Sequence, residues 1–351
     1  MWERAQSSER SGQRDDTMVS PVLVTVTRGD SVESAHRGAF VAIDADGTVI
    51  VSGGEVERPV FPRSAIKAIQ ALPVVESGAA DALGWGSTEL ALCCASHSSE
   101  LAHVAHVERM LAGMNLDETA LECGAHWPVF GKAPLIELAR RGGEPTALHN
   151  NCSGKHAGFL ALARQENWPL EGYVRADHPV QRAVRDALVE VTGADPLDRG
   201  IDGCGVPTWS VPLRALAHGF ARLATGVGLG AARARAAERL VGATMAAPWF
   251  VAGTKRHDTV VMEAAPGSVT LKTGAEGVYC AAIPSLGVGV ALKIDDGTTR
   301  AAEITVAALL ARLLPEPHAG ALRPFATRTI RNWTGTPTGA IHPTAALTGC
   351  G

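Results

Sequence analysis

Strong charge of either sign is missing from this chain of 351 residues: 32 Lys and Arg stand against 36 Asp and Glu, a formal net charge of −4. No basic cluster offers a nucleic-acid footprint, and no acidic block reads as a solvating tail. No apolar run reaches the roughly 20 residues that span a bilayer, so no membrane partner is expected. Met1 to Thr17 is polar and lacks the apolar core of a secretory signal. Positions 1–18 therefore read as a flexible extension, and Met18, which heads the first β-like run, as an alternative start of translation. Common site signatures are also missing. There is no Gly-x-Ser-x-Gly elbow and no phosphate-binding loop. Gly226-Val227-Gly228-Leu229-Gly230-Ala231 grazes a dinucleotide pattern, but no strand precedes it. His97, Glu100 and His103 do not form His-Glu-x-x-His, so a zincin-like metal site is not supported. No repeat of fixed period and no low-complexity segment occurs.

The seven cysteines are odd in number and scattered, which argues against a disulfide framework and for a reducing cytoplasm. Cys93, Cys280 and Cys350 read as small buried hydrophobes. Apolar residues at 46% and charged residues at 19% describe a globular protein with a substantial core. Short β-branched runs at 22–26, 39–43 and 48–51 predict strands, the last two joined by the hairpin signal Asp44-Ala45-Asp46-Gly47. From Ser64 the apolar residues fall at helical spacing, with Pro73 expected to kink or shorten the helix and Gly78 to mark its latest end. Further helices are predicted at 99–112, 154–165, 179–191, 211–224 and 231–245, with Ser98 or Ser99 capping the first. Strands return at 269–272, 277–282 and 288–294, before a helix at 299–314 and a mixed tail holding Trp333. Strands at both ends with helices between predict an α+β fold: one catalytic domain over 19–345, its antiparallel sheet built from both termini beside a helical lobe, and a tail at 346–351.

The chemistry concentrates in a few strings. Phe61-Pro62-Arg63-Ser64-Ala65-Ile66-Lys67 places Ser64 three residues before Lys67 at a helix start, which puts both on one face. Far downstream stands Lys272-Thr273-Gly274 on a strand. That frame belongs to the serine acyl-transferases of the β-lactamase and penicillin-binding type, and it attacks carbonyls. A serine hydroxyl needs a base, and a lysine serves only if burial or a second cation lowers its pKa. Alone, Ser-x-x-Lys also fits an ordinary surface helix. Ser96, in Cys94-Ala95-Ser96-His97, offers a second hydroxyl between the two lysines. Cys152 and Lys155 again stand three apart, and Cys204 sits in the Gly-flanked turn Asp202-Gly203-Cys204-Gly205. Two thiolates from separate loops could bind zinc with a third ligand and a water. A lysine ligand would first have to lose its proton.

Together with Asn150-Asn151-Cys152-Ser153-Gly154-Lys155-His156, Asp202-Gly203-Cys204-Gly205-Val206-Pro207 and Lys272-Thr273-Gly274-Ala275-Glu276-Gly277, these strings resemble the asparaginase II family, the rhizobial-type L-asparaginases. The likeness runs from about Pro21 to Pro343 in motif order. Ser98-Ser99 stand where the family often has Asn-Gly. The resemblance implies a β-lactamase-like and glutaminase-like fold, usually a homodimer, hydrolysing L-asparagine to L-aspartate and ammonia. By position it implies two Ser-Lys pairs, Ser64 with Lys67 and Ser96 with Lys272. It implies zinc held by Cys152, Lys155 and Cys204 near the substrate, not supplying the attacking water. Arg63, His156, Asp202, Ala275 and Glu276 are the expected substrate-binding positions. On this reading neutral Lys67 takes the proton of Ser64, the backbone N–H groups of Ser64 and Ala275 stabilise the oxyanion, and Ser96 with Lys272 protonates the departing ammonia. Three alternatives remain: a different β-lactamase-like serine amidase, a non-catalytic zinc-binding relative, and a Cys152 thiolate nucleophile.

Overall fold

The computed structural model describes residues 20–349; the extension at 1–18 and Cys350 lie outside the described residues. The first hairpin pairs β1 (Val22–Arg28) with β2 (Ser31–Asp44), and β3 (Val49–Gly53) adds to the far half of β2. Two short ribbons follow. In one, β4 (Pro59–Val60) pairs with β7 (Val211–Pro212); in the other, β5 (Arg199–Ile201) pairs with β6 (Pro207–Trp209). The C-terminal third supplies β8 (Thr270–Thr273), β9 (Val278–Ile283), β10 (Val288–Ile294), β11 (Arg328–Arg331) and β12 (Pro337–Pro343). The main sheet has the order β11-β12-β1-β2-β10-β9-β8, antiparallel throughout, so its centre joins the first strands of the chain to the last. The expected α+β class, with an antiparallel sheet built from both termini, is therefore observed.

Helices fill the middle of the chain: α1 (Lys67–Glu76), α2 (Ala79–Ala82), α3 (Ser87–Cys93), α4 (Leu101–Ala112), α5 (Lys132–Arg140), α6 (Ser153–Gln165), α7 (Pro179–Thr192), α8 (Leu213–Thr225), α9 (Ala231–Ala246), α10 (Pro248–Val251) and α11 (His257–Ala264). After the sheet come α12 (Thr299–Leu313), α13 (His318–Leu322) and α14 (Ala345–Thr348). Period-two alternation sends side chains to two cores. Ala39, Val41 and Ile43 of β2 and Val278, Cys280 and Ala282 of β9 face α8 and the helical lobe. Phe40, Ala42, Tyr279, Ala281 and Ile283 face the side that α12 covers. Strands buried on both faces explain the apolar runs at 278–283 and 288–294. No helix among the described residues is long and apolar enough to cross a membrane.

Two local expectations are corrected. Pro73 neither stops nor shortens α1, which runs on to Glu76; Gly78, at φ +79°, lies just beyond it. Packing of α1 against α6, α7 and α9 outweighs the missing N–H of one proline. Neither Ser98 nor Ser99 caps α4, whose N-cap is Glu100. The Ser98 hydroxyl donates to the Ala252 carbonyl at 2.8 Å and the Ser99 hydroxyl to the His149 carbonyl at 2.6 Å. The two serines thus tie neighbouring loops to the Ser96 segment.

Candidate active site

A cleft of about 460 Å³ opens where the end of β8 meets the helical lobe. Ser64 stands on one wall, in a 3-10 turn (Arg63–Ile66) that leads into α1. Arg63 holds φ at +53°, a backbone strain uncommon for a side chain with a Cβ. Asp202 fixes it there, accepting from Arg63 Nε at 2.9 Å and from Nη2 at 2.6 Å. The opposite lip is Gly274 and Ala275. A Cβ on Gly274 would lie 2.6 Å from the Pro62 carbonyl oxygen, so only glycine lets the β8 end close on the serine turn. The Ala275 N–H has no hydrogen-bond partner among the described residues, and Glu276 follows at φ +56°.

Ser96 lies deeper, 2% exposed, on the loop after α3. Its N–H donates to the Val251 carbonyl at 2.9 Å. Lys67, 1% exposed, donates to the Ala95 carbonyl, to Ser96 Oγ at 3.0 Å and to Cys152 Sγ at 3.1 Å. No hydrogen bond joins Ser64 to Lys67 or Ser96 to Lys272 among the described residues; the serine bonded to a lysine is Ser96, and its lysine is Lys67. The i, i+3 spacing does not decide this, because Ser64 sits in the 3-10 turn and Lys67 opens the α-helix. Lys272 is buried behind the cleft and donates to the Thr273 carbonyl at 2.8 Å. Burial lowers its pKa to about 7; Lys67 and Arg256 push the same way, while Asp258 and Cys152 oppose.

Cys152, Cys204, Asp202 and Gly203 line the same cleft, with Lys155 and His156 buried behind them on α6. Gly154 seats that helix: a Cβ there would lie 2.5 Å from the Leu92 carbonyl oxygen of α3. Lys155 Nζ donates to Cys204 Sγ at 3.2 Å. The Cys152 thiol donates to Asn151 Oδ1 at 3.2 Å, and the closeness of the two sulfurs draws Cys204 down and pushes Cys152 up, with Lys155 also favouring the Cys204 thiolate. Burial opposes the charge on Lys155, but Cys204, Cys152 and Asp202 outweigh it and raise the amine. Burial likewise opposes the Asp202 carboxylate, and Arg63 and Lys155 restore it. Burial holds His156 neutral; its Nδ1 meets the Tyr173 hydroxyl at 2.7 Å and its Nε2 is buried without a partner. Among the described residues no group of three or more His, Cys, Asp or Glu could hold a metal ion. Only by counting Lys155 does the donor set reach two sulfurs and a nitrogen. Those donors converge and are buried, which suits zinc once the amine is deprotonated.

Ser64, Ser96, Arg63, Cys152, Asp202, Cys204, Ala275 and Glu276 thus line one cleft, and Lys67, Lys155, His156 and Lys272 stand buried behind it. Sequence reasoning missed His126, Phe130, Arg256, Gly297 and Thr299 on the lining, and Asp258 beneath it. None belongs to a recognisable string.

The sequence profile of the L-asparaginase II family matches residues 24–343. No curated protein matches the chain in sequence. Similar solved structures include a β-lactamase from Mycobacterium bovis, 12% identical with a TM-score of 0.37, over 76% of this chain and 89% of that one. A D-alanine carboxypeptidase from Burkholderia cenocepacia is 13% identical with a TM-score of 0.37, over 82% of this chain and 92% of its own. A simvastatin synthase from Aspergillus terreus is 12% identical with a TM-score of 0.38, over 74% and 86%.

Proposed function

The chain belongs to the L-asparaginase II family, a family of hydrolases, and on that premise we propose that it hydrolyses the side-chain amide of L-asparagine to L-aspartate and ammonia through a serine acyl-enzyme. The observation that carries this reading is the meeting of two serines and two buried lysines at one cleft. Ser64 is the nucleophile on this reading: it faces the cleft and spends its hydroxyl on no hydrogen bond among the described residues. The amides of Ser64 and Ala275 are the donors suited to the oxyanion. Removing one such donor typically costs about 2.7–4 kcal/mol of barrier.

The lowered Lys272 and the hydrogen bonds of Lys67 support a division of labour between the lysines that differs from the expected one. Lys272, lowered to about 7, holds a lone pair in much of the population at neutral pH and suits the role of proton acceptor. Lys67 donates to Ala95, Ser96 and Cys152 and suits the return of a proton through Ser96 to the departing ammonia. Water then cleaves the ester. Asp202 keeps Arg63 and the serine turn in place. Zinc held by Cys152, Lys155 and Cys204 would supply positive charge beside the substrate. A homodimer in a reducing cytoplasm is the accompanying reading, and the six free, buried cysteines among the described residues support its redox half.

Substitution tests the roles. Ser64→Ala is expected to lower kcat for ammonia release from L-asparagine by about 10⁴-fold or more, with the thermal midpoint intact. Near-normal turnover in Ser64→Ala together with a dead Ser96→Ala would move the attack to Ser96, the serine that Lys67 already holds. Hydrolysis of a chromogenic β-lactam without turnover of L-asparagine would favour a different amidase of the same fold.

A further inference from the structure

Arg256 lines the cleft, yet no role in the chemistry above falls to it. Its backbone is held with unusual care. Glu100 Oε1 accepts from the Thr254 N–H and Oε2 from the Thr254 hydroxyl, each at 2.7 Å, and the Ala252 carbonyl takes the Ser98 hydroxyl. Gly253 sits at φ +120°, where a Cβ would lie 2.6 Å from Ser98 Oγ, and Lys255 is held at φ +61°. This turn therefore rides on the Ser96–Glu100 loop and delivers the Arg256 side chain beside the reacting serines. The guanidinium carbon stands over the Phe130 ring, 3.6 Å from its centroid, and Nη1 donates to the Ser96 carbonyl at 3.3 Å. Arg63 is paired with Asp202, Lys155 with the Cys204 sulfur and Lys67 with three acceptors, while Lys272, the proton acceptor above, donates to the Thr273 carbonyl. Among the described residues Arg256 forms no ion pair, and neither does Glu276 on the β8 loop across the sequence. The cleft thus offers a guanidinium and a carboxylate that no ion pair among the described residues ties up, with the Asp258 charge acting on Arg256 from beneath. A small zwitterion has the complementary pair.

Resting on the asparaginase reading, we propose that Arg256 is the anchor for the substrate's α-carboxylate. The planar fork would receive it through two parallel N–H donors, with the Phe130 ring beneath the guanidinium holding it over the cleft. Phe130 then acts as a positioning residue, and Arg256 sets specificity for amides that carry a free α-carboxylate next to the scissile side chain. The Ser96 carbonyl bond ties the anchor to the serine whose hydroxyl Lys67 holds, so binding at the carboxylate and alignment at the amide share one loop.

The test compares L-asparagine with β-alaninamide, which is asparagine without its α-carboxylate, using the full chain. Wild-type kcat/KM is expected to favour L-asparagine by about 100-fold or more, the worth of a charged, desolvated hydrogen-bond pair. In Arg256→Gln that ratio is expected to fall to within about tenfold, mostly through KM for L-asparagine, and Arg256→Lys to recover part of it. Equal losses on both substrates, or a wild type that does not discriminate, would give Arg256 a structural role only. The second outcome needs no variant, so misfolding of Arg256→Gln does not protect the proposal. If the wild type releases no ammonia from L-asparagine, the asparaginase reading fails, and calorimetry with L-aspartate and β-alanine reads Arg256 by itself. Tight L-aspartate binding that Arg256→Gln abolishes upholds the anchor; no binding to the wild type, or binding unchanged in the variant, overturns it.

Discussion

A lysine sealed behind a cleft holds its proton weakly, and Lys272 is such a lysine. Burial takes it from the ordinary 10.5 to about 7. If it accepts the serine's proton, kcat/KM for L-asparagine rises with pH through an acid limb centred near that value. Asp258 is the neighbour that props this pKa up: its Oδ1 accepts the Thr273 N–H at 2.9 Å and the Tyr279 hydroxyl at 2.7 Å, and its charge opposes the burial of Lys272. Asp258→Asn is therefore expected to move the acid limb to lower pH; a limb that stays put or moves up would remove Lys272 from the role of base. The same shift has a stability sign. Between about 7 and 10.5 the unfolded chain holds the Lys272 proton that the folded chain has lost, so folding stability rises with pH across that window and is least below it. Lys272→Met deletes the penalty. It is expected to abolish turnover while raising the thermal midpoint at pH 7 by a few degrees, measured by calorimetry, and a lowered midpoint would mean the side chain is stabilising as it stands.

At the scale of elements, α8 lies across the sheet where β10 carries Gly289. A Cβ there would lie 2.0 Å from the Ala217 carbonyl oxygen and 2.3 Å from the Ala221 nitrogen, both backbone atoms of α8 that cannot turn aside. Gly289→Ala is expected to destabilise by at least about 1–3 kcal/mol, seen as a lower urea midpoint at unchanged slope. Gly242 is the matched control: it lies inside α9, exposed, with nothing within 4 Å of a new Cβ, so Gly242→Ala is expected to be neutral or to stabilise by about 0.5–1 kcal/mol. Equal effects at the two glycines would show that the crossing is not where the fold is tightest. Neither glycine is distinguishable in the sequence, because periodicity tells which face is apolar and not what rests against it. The β9 and β10 strands were legible from β-branched and apolar runs. Strands β11 and β12 were not: Arg328–Arg331 is largely exposed, and Pro337–Pro343 begins and ends in proline, so no alternation marks them. Helix α5 escaped for the same reason, since it buries none of its residues.

The whole molecule brings together six stretches that lie far apart along the chain, at 63–67, 96, 152–156, 202–204, 256–258 and 272–276. Candidate site residues stood out in the sequence at five of these, all but 256–258, because serine beside lysine and cysteine in glycine-rich turns are rare enough to be noticed. Their pairing was not. Local spacing joined Ser64 to Lys67, whereas the loop after α3, held by Val251 and Ala252, delivers Ser96 to Lys67 instead. Arg256 and Asp258 carried no local signal at all, since their importance comes from a turn stapled to Glu100 from another part of the chain. The same long-range assembly makes a whole-molecule prediction for zinc. Cys152 and Lys155 come with α6 from the helical lobe, and Cys204 comes from the turn between β5 and β6, so an ion held by all three would cross-brace loops that the unfolded chain keeps far apart. A ligand bound only by the folded state stabilises it in proportion to occupancy, by about 2.7 kcal/mol at a hundredfold excess over its dissociation constant. Removing metal with a chelator is expected to lower the thermal midpoint of the wild type and to leave that of Cys204→Ala unmoved, with metal analysis finding zinc in the first and not the second. A chelator that shifts both proteins alike, or neither, would leave the two cysteines as buried neighbours of Lys67 and Lys155 and remove zinc from the reading.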